Sequence, residues 1–267
     1  MRLRLEDGGN GGSVEGIVQA GAAGDLGDPL DDIVGAAVNG VGGAECPSQF
    51  EAGIVEVHGD DGGAADDLGW TRRHLVAHVG YNAAALCRLM DWASSGTETP
   101  MYASSEHRGR EIQEGATSPA AALRNLFDHT VARLDEKWRH APSAAWSAQV
   151  RTAQGREVPA AETAWMRARE VWIHTVDLDN GGRFGAFPEV VLDTLLTDIV
   201  GMWRRKDQGR GLTIVPGNEA PIEIHPGVGP ATTVVSGTKA GVVRWCAGRG
   251  KLGVTMTGTP ATAPTWL

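Results

Sequence analysis

The sequence predicts a helical bundle followed by a small α+β domain, and three observations support this fold class. Between Trp70 and Gly211 the apolar residues recur mostly with the period of an α-helix. Beyond Gly211 the period shifts toward two, which is typical of β-strands. The N-terminal residues show neither period. We therefore expect an atypical segment at 1–68, a bundle at 69–208 and an α+β domain at 209–267.

The N-terminal segment differs from the rest of the chain in composition. Residues 1–69 contain 14 acidic and 2 basic residues, 17 of the 37 glycines and none of the nine tryptophans. Glycine lowers helix stability, and the short apolar pieces end before a helical or strand period is established. We expect this segment to be disordered or not native to the protein. A wrong reading frame or a misplaced start would explain the abrupt change at Gly69.

Amphipathic stripes predict four helices in the bundle region. They cover residues 71–94, Pro119–Trp138, 160–178 and Pro188–Met202. Ser118 and Pro119 are typical of an N-cap and a first helical position, respectively. A short hairpin that turns at Gln154 and Gly155 separates the second helix from the third.

The C-terminal region predicts a mixed arrangement of strands and one helix. Strand-like segments occupy 212–215, 222–225, 232–236 and 252–256, and a helix occupies 239–247. Strands that accompany a single helix in a short region are typical of a small α+β domain.

The composition argues against a membrane protein, a nucleic-acid binder and a disulfide-stabilised protein. No run approaches the roughly eighteen apolar residues of a membrane-spanning helix, and no basic patch stands out. The three cysteines, Cys46, Cys87 and Cys246, are far apart and form no CxxC pair. We expect a cytoplasmic monomer whose partners are small molecules.

The predicted helix at 160–178 carries the residues most typical of a metal site. Glu170 and His174 lie four residues apart, so their side chains project from one side of the helix, with Asp177 on the same polar stripe. A carboxylate and an imidazole at this spacing can bind one zinc ion. The same spacing is common on a solvated helix face, so the pair alone leaves both interpretations open.

The predicted helix at 71–94 offers a third ligand from two histidines that are also four residues apart. On a helical wheel His78 points toward the bundle interior, in the sector of Asn82 and Leu89, whereas His74 lies further out. His78 is therefore the better candidate for a metal ligand. The alternative is that His78 is a hydrogen-bonded core residue and that His74 caps the helix at the surface.

Long motifs run through most of the chain. In the bundle region they are GWTRRHLVAHV at 69–79, YNA at 81–83, ETPMY at 98–102, TAQGR at 152–156, WMR at 165–167 and REVWIH at 169–174. In the C-terminal region they are VVSG at 234–237, VRW at 243–245, AGRG at 247–250 and the final WL. Together these motifs resemble the mycothiol-dependent maleylpyruvate isomerases, and the resemblance covers nearly all of 69–267.

This resemblance implies a particular fold, from which residues 1–68 depart. The implied fold is a DinB-like four-helix bundle with a zinc site, followed by a sterol-carrier-like α+β domain. The bundle of the family begins with a leucine-rich helix ahead of the Gly-Trp motif. Residues 1–68 do not resemble that helix, so we expect the first bundle helix to be missing or replaced here.

The resemblance also implies roles for particular residues. The implied zinc ligands are His78, Glu170 and His174, which the helical wheels also favour. An important C-terminal arginine of the family corresponds to Arg249, and Arg244 is a second candidate for contact with an anion. Asn82 and Arg249 are the expected contacts of the thiol cofactor.

The activity implied by the resemblance is the isomerisation of maleylpyruvate to fumarylpyruvate, with zinc and mycothiol as cofactors. Addition of a thiolate turns the conjugated double bond into a single bond, so rotation and elimination give the trans product. Two alternatives stay open, a mycothiol-dependent S-transferase and a non-catalytic metal-binding or regulatory module. An assay with maleylpyruvate distinguishes the isomerase from both alternatives.

Overall fold

The computed structural model describes residues 70–227 and 229–266. Contacts divide the chain into two compact units, one ending at Gly182 and the other beginning at Arg183. The first is mainly helical, and the second combines helices with a sheet. The predicted fold class, a helical part followed by an α+β part, is therefore confirmed. The expectation for residues 1–68 concerns a segment outside the described residues.

Among its described residues, the first unit contains four long helices, a short helix and a hairpin. They are α1 (Arg72–Ser95), α2 (Ser105–Thr117), α3 (Ala120–His140), α4 (Ser143–Ser147), β1 (Gln149–Arg151), β2 (Glu157–Pro159) and α5 (Glu162–Asp177). Helices α2, α3 and α5 all pack against α1. Accordingly, 13 of the 24 residues of α1 are buried, and a polar group on that buried surface needs a partner inside the unit.

Helix α1 begins at a polar cap and ends at a glycine. The Thr71 hydroxyl lies 2.8 Å from His74 Nδ1, and the Thr71 N–H donates to the same nitrogen over 3.2 Å. The Thr71 N–H contact, together with the Thr71 side chain that accepts from the backbone N–H of His74, forms a capping box. At the other end Gly96 has a φ of 73°, the left-handed conformation that glycine adopts without strain.

Helix α2 approaches α1 closely at Gly115. A Cβ atom at Gly115 would lie 2.9 Å from Ala77 Cβ and 2.9 Å from the Tyr81 ring. Because atoms at that separation clash, this contact requires a glycine. The close approach places the rest of α2, including Arg108, alongside the first half of α1.

The second unit is built on a four-stranded sheet. Its elements are a 3₁₀ turn (Phe184–Ala186), α6 (Glu189–Arg205), β3 (Leu212–Pro216), β4 (Ile222–Glu223), β5 (Thr233–Gly237), α7 (Lys239–Cys246) and β6 (Val254–Gly258). The strand order is β4-β3-β5-β6, with β3 and β5 parallel and the outer pairs antiparallel. The two central strands contribute Ile214 and Val235 to the core, and both are fully buried.

The structure differs from the sequence-based expectation in the division of the chain. The helix expected as the last of the bundle is α6, and it lies in the unit that begins at Arg183, because it packs against α7. Its Trp203 also donates a hydrogen bond to the carbonyl of Pro264. The contacts therefore divide the chain earlier than the boundary predicted between residues 208 and 209.

Two further elements differ from the prediction. Helix α2 was not predicted, because it contains two glycines and buries only Ile112, Gly115 and Ala116, so it has no apolar stripe. Strand β6 begins at Val254 rather than at residue 252, because the left-handed Gly253 precedes it and Leu252 is 75% exposed. None of the helices that the structure describes is long and apolar enough to cross a membrane.

Candidate metal centre

Two helices bring three metal-ligating side chains together in the first unit. His78 lies on α1, and Glu170 and His174 lie one turn apart on α5. Their ligating atoms are all within 4.8 Å of one another. Nε2 of His78 is 2.9 Å, and Nε2 of His174 is 3.3 Å, from Oε2 of Glu170. The packing of α5 on α1 thus brings together the three residues that the sequence analysis favours as ligands.

The donor set suits a divalent transition metal such as zinc. Two imidazole nitrogens and one carboxylate oxygen are ordinary zinc ligands, and three protein ligands leave a fourth position open, as in catalytic zinc sites. The side chains of His78, Glu170 and His174 are 6%, 14% and 12% exposed, respectively. The cluster is therefore sheltered and still reachable from solvent. The residues present fit a divalent ion.

Burial and hydrogen bonds set the protonation of the cluster. Burial alone would raise the pKa of Glu170, but hydrogen bonds from His174 and His78 hold that pKa well below its usual range. Burial lowers the pKa of His174, but hydrogen bonds to Asp177 and Glu170 outweigh it and raise the pKa to about 9. Burial lowers the pKa of His78 by more than the Glu170 contact raises it. Near neutral pH a neutral His78 and a cationic His174 therefore flank the Glu170 carboxylate.

Asp177 orients the ring of His174. Oδ2 of Asp177 accepts a hydrogen bond from Nδ1 of His174 over 2.9 Å, and the Asp177 side chain is 5% exposed. Because Nδ1 is occupied, the ring presents Nε2 to Glu170. A carboxylate behind a ligating histidine fixes the ring in this way in many metal sites. The helical wheel predicts only that Asp177 lies on the polar stripe, and its three-residue spacing from His174 is the signal in the sequence for its orienting role.

Two residues that lie outside α1 and α5 also contact His78. They are Arg108 on α2 and Trp70, which precedes α1. Nη2 of Arg108 donates to Nδ1 of His78 over 3.3 Å, and the Trp70 ring centre lies 5.2 Å from the His78 ring. The Arg108 guanidinium also lies 5.7 Å from the centre of the Tyr102 ring. The sequence does not reveal Arg108, because the pattern of α2 does not predict a helix. The nearest signal was the ETPMY motif, which contains Tyr102.

His74 lies outside the cluster. Its Nδ1 takes part in the helix cap at Thr71, and its Nε2 lies 3.3 Å from Oε1 of Gln113. Both ring nitrogens therefore have partners at the start of α1. This placement matches the role of helix cap that the sequence analysis gave as the alternative for His74.

Asn82 lies one turn beyond His78 in the interior of the unit. It is 4% exposed, and its Oδ1 accepts a hydrogen bond from Nη1 of Arg167 over 3.2 Å. The same nitrogen donates to the carbonyl of Val79 over 2.6 Å. Burial lowers the pKa of Arg167 to about 10, so the guanidinium remains charged at neutral pH. Asn82 thus holds a buried cation, and its contact with a thiol cofactor stays a prediction.

The two C-terminal arginines lie at the end of α7 in the second unit. Nε of Arg244 donates to the carbonyl of Arg249 over 2.6 Å, and Nη1 of Arg249 donates to the carbonyl of Ala247 over 2.7 Å. Gly248 and Gly250 have φ angles of 76° and 95°, which explains the glycines of the AGRG motif. Both arginines are half-buried. Their roles in binding anions stay predictions.

The chain is similar to one known group of enzymes in both sequence and structure. Residues 65–179 match the family model of the mycothiol maleylpyruvate isomerase N-terminal domain. The crystal structure of a mycothiol-dependent maleylpyruvate isomerase is 46% identical, with a TM-score of 0.81 over 90% of this chain and 98% of that chain. A histidine-to-alanine mutant of such an enzyme is 45% identical, with the same TM-score and coverage.

A search of curated proteins found no match.

Proposed function

Because the chain belongs to the mycothiol-dependent maleylpyruvate isomerase family, we propose that it isomerises maleylpyruvate to fumarylpyruvate. The observation that carries this proposal is the cluster of His78, Glu170 and His174. It occurs in a chain that is 46% identical to a solved isomerase over nearly the whole length of that enzyme. The proposed cofactors are mycothiol and a divalent ion, for which the donor set favours zinc.

The substrate explains why a thiol is needed. Maleylpyruvate has a cis double bond conjugated to a ketone, and such a bond does not rotate thermally. Mycothiol supplies a thiolate whose reversible addition makes this bond single, so that it rotates before elimination restores the thiol. The protein has to hold the sulfur close to the alkene and to stabilise negative charge that develops on the ketone oxygen.

The residues of the cluster would hold the ion in a defined place. A bound zinc ion lowers the pKa of a thiol or polarises a carbonyl. Asp177 fixes the ring of His174, and Glu170 supplies the anionic ligand between the two imidazoles. The indole of Trp70 and the limited exposure of all three ligands keep bulk water away from the centre, which strengthens electrostatic interactions there.

A dianionic substrate also needs cationic partners. We propose Arg249 as one of them, because the sequence resemblance implies that it corresponds to an important arginine of the family, and a guanidinium fork suits a carboxylate. Arg244, whose Nε holds the carbonyl of Arg249, is the second candidate. A cytoplasmic location is part of the proposal, because a cofactor that acts as a free thiol requires a reducing compartment.

A direct assay tests the function. Zinc-loaded protein is incubated with maleylpyruvate, with and without mycothiol, while the absorbance of the cis enone is followed and the product is identified by chromatography. Fumarylpyruvate should form only when mycothiol is present. His78→Ala should lose both zinc and turnover, whereas the matched control His74→Ala should retain both. A stable thiol adduct in place of the trans product would show an S-transferase, and binding without turnover would show a non-catalytic module.

A further inference from the structure

A cavity of about 290 Å³ lies in the first unit, and one of its lining residues, Arg108, contacts the candidate metal ligand His78. Its wall is formed by the loop before α2, the start of α2 and the turn of the β1–β2 hairpin, and none of the three metal ligands lines it. Trp92 and Met101 supply apolar surface, while Tyr102, Arg108, Arg151 and Glu98, which pairs with Arg151, supply polar groups. Pockets for small ligands begin at about this volume, so the cavity suits part or all of a small metabolite.

Arg108 links this cavity to the metal centre. Arg108 lines the cavity, and its Nη2 lies 3.3 Å from Nδ1 of His78. Arg108 is therefore a direct contact between the cavity and one of the three candidate metal ligands.

The two arginines of the cavity differ in their charge partners. Arg151 pairs with Glu98 over 3.0 Å and with Glu157 over 3.6 Å, so acidic side chains already neutralise it. Between residues 70 and 266, as far as the structure describes them, no carboxylate lies within salt-bridge distance of Arg108. The described side-chain contacts of Arg108 are the ring of His78 and the side chain of Tyr102.

A second guanidinium adds to the positive charge at this point. Arg88 also lies 5.7 Å from the centre of the Tyr102 ring, and its Nε donates to the carbonyl of Met101. The two guanidinium groups therefore share one aromatic ring. Positive charge that acidic side chains do not balance attracts an anion, and a planar guanidinium binds a carboxylate through two parallel hydrogen bonds.

We infer that this cavity binds one carboxylate of the unsaturated dicarboxylate substrate, with Arg108 as its partner; the identity of this ligand rests on the proposed function. The apolar surface of Trp92 and Met101 accommodates the carbon chain of the ligand. Arg108 is thus a substrate-binding residue beyond the three metal ligands and the C-terminal arginines.

The test measures binding rather than turnover. Maleate, a cis dicarboxylate without the ketone, is titrated calorimetrically into zinc-loaded protein in the absence of mycothiol. Wild-type protein should bind maleate, and Arg108→Ala should weaken binding by about tenfold or more, the loss expected for a charge-assisted hydrogen bond. Arg108→Lys should recover part of the affinity, because lysine keeps the charge and lacks the fork.

Arg139→Ala is the control, because it removes an arginine of the same unit that pairs with Asp135 on α3 and does not line the cavity. It should change maleate affinity by no more than about twofold, since a surface ion pair contributes little. Zinc content and thermal unfolding are measured for every variant, and Arg108→Gln replaces Arg108→Ala if the alanine variant does not fold. Failure of wild-type protein to bind maleate, unchanged affinity in both Arg108 variants, or an equal loss in Arg139→Ala would overturn the inference.

The outcomes separate this inference from the proposed function. Wild-type protein that isomerises maleylpyruvate while Arg108 variants bind maleate normally would refute the cavity and leave the function in place. Arg108-dependent binding of maleate in a protein that does not isomerise maleylpyruvate would support the cavity as a dicarboxylate site and refute the function.

Discussion

Zinc binding should release about one proton per ion near pH 7, and that proton should come from His174. The pKa of His174 is about 9, because its hydrogen bonds to Asp177 and Glu170 outweigh the effect of burial. At pH 7 the ring is therefore about 99% protonated. Glu170 and His78 carry no extra proton at this pH, since both have a lowered pKa. An imidazole has to be neutral to ligate, so His174 is the member of the cluster that loses a proton.

The size of the effect follows from the same pKa. Between pH 7 and pH 9 the apparent zinc affinity should rise about tenfold per pH unit, and it should level off above pH 9. The stability of the metal-free protein should change in the opposite direction. The folded-state pKa of His174, about 9, exceeds the ordinary value of 6.5. Its contribution of about 3 kcal/mol is therefore complete below pH 6.5 and is lost as the pH rises through 9.

Calorimetry in two buffers with different ionisation enthalpies gives the number of protons released, and a competing chelator gives the affinity at each pH. His74→Ala is the matched control, because His74 lies at the helix cap, and it should release the same number of protons as wild-type protein. Asp177→Asn should release fewer protons at pH 8 and bind zinc about 10–100 times more weakly. Zinc binding without proton release at pH 7, or with an affinity that is constant from pH 7 to 9, would refute the assignment.

Three further predictions concern single residues. His78→Ala, Glu170→Ala and His174→Ala should each lose zinc by elemental analysis, whereas full retention in all three would show that the ligands lie elsewhere. Arg249→Ala should lower turnover of the dicarboxylate with zinc retained, and Arg249→Lys should restore only part of it; wild-type kinetics in Arg249→Ala would remove it from the site. Asn82→Ala should lower the free energy of unfolding by about 1–3 kcal/mol in urea, because buried Arg167 loses an acceptor. An unchanged unfolding midpoint would contradict that role.

The sequence predicts the metal cluster well because the necessary information is local. Glu170 and His174 are one turn apart on a helix with a clear apolar stripe, and the wheel of α1 distinguishes His78 from His74. Both helices lie within a few residues of their predicted ends. The apolar stripes of α1 and α5 pack against each other, and this packing brings His78 next to Glu170 and His174.

The contacts that the sequence does not reveal depend on tertiary packing. Helix α2 has few apolar residues and two glycines, so too few apolar positions mark its buried face, and the sequence does not reveal Arg108. Gly115 is needed for the close approach of α2 to α1. In the sequence alone, however, a glycine argues against a helix, because glycine has a low helix propensity. The stripe of α6 was recognised, but a stripe does not specify which surface covers it. That surface proved to be in the second unit, against α7.

Zinc loading and carboxylate binding should strengthen each other through His78. In the structure Arg108 donates to Nδ1 of His78, so the proton of this neutral ring lies on Nε2 and faces Glu170. A neutral histidine that ligates through Nε2 carries its proton on Nδ1, which cannot accept a hydrogen bond. Ligation therefore ends the contact with Arg108 and leaves the guanidinium available to a carboxylate.

By reciprocity, a ligand that binds Arg108 should favour the ligating form of His78. Maleate should therefore bind more tightly to zinc-loaded than to metal-free protein, as measured by calorimetry on both forms. Direct attraction between the ion and the carboxylate also makes maleate bind more tightly to zinc-loaded protein. Arg108→Ala separates this contribution from the one that depends on His78, because the variant removes only the latter. An equal zinc dependence of maleate affinity in wild-type protein and Arg108→Ala would show that the ion acts on the carboxylate alone.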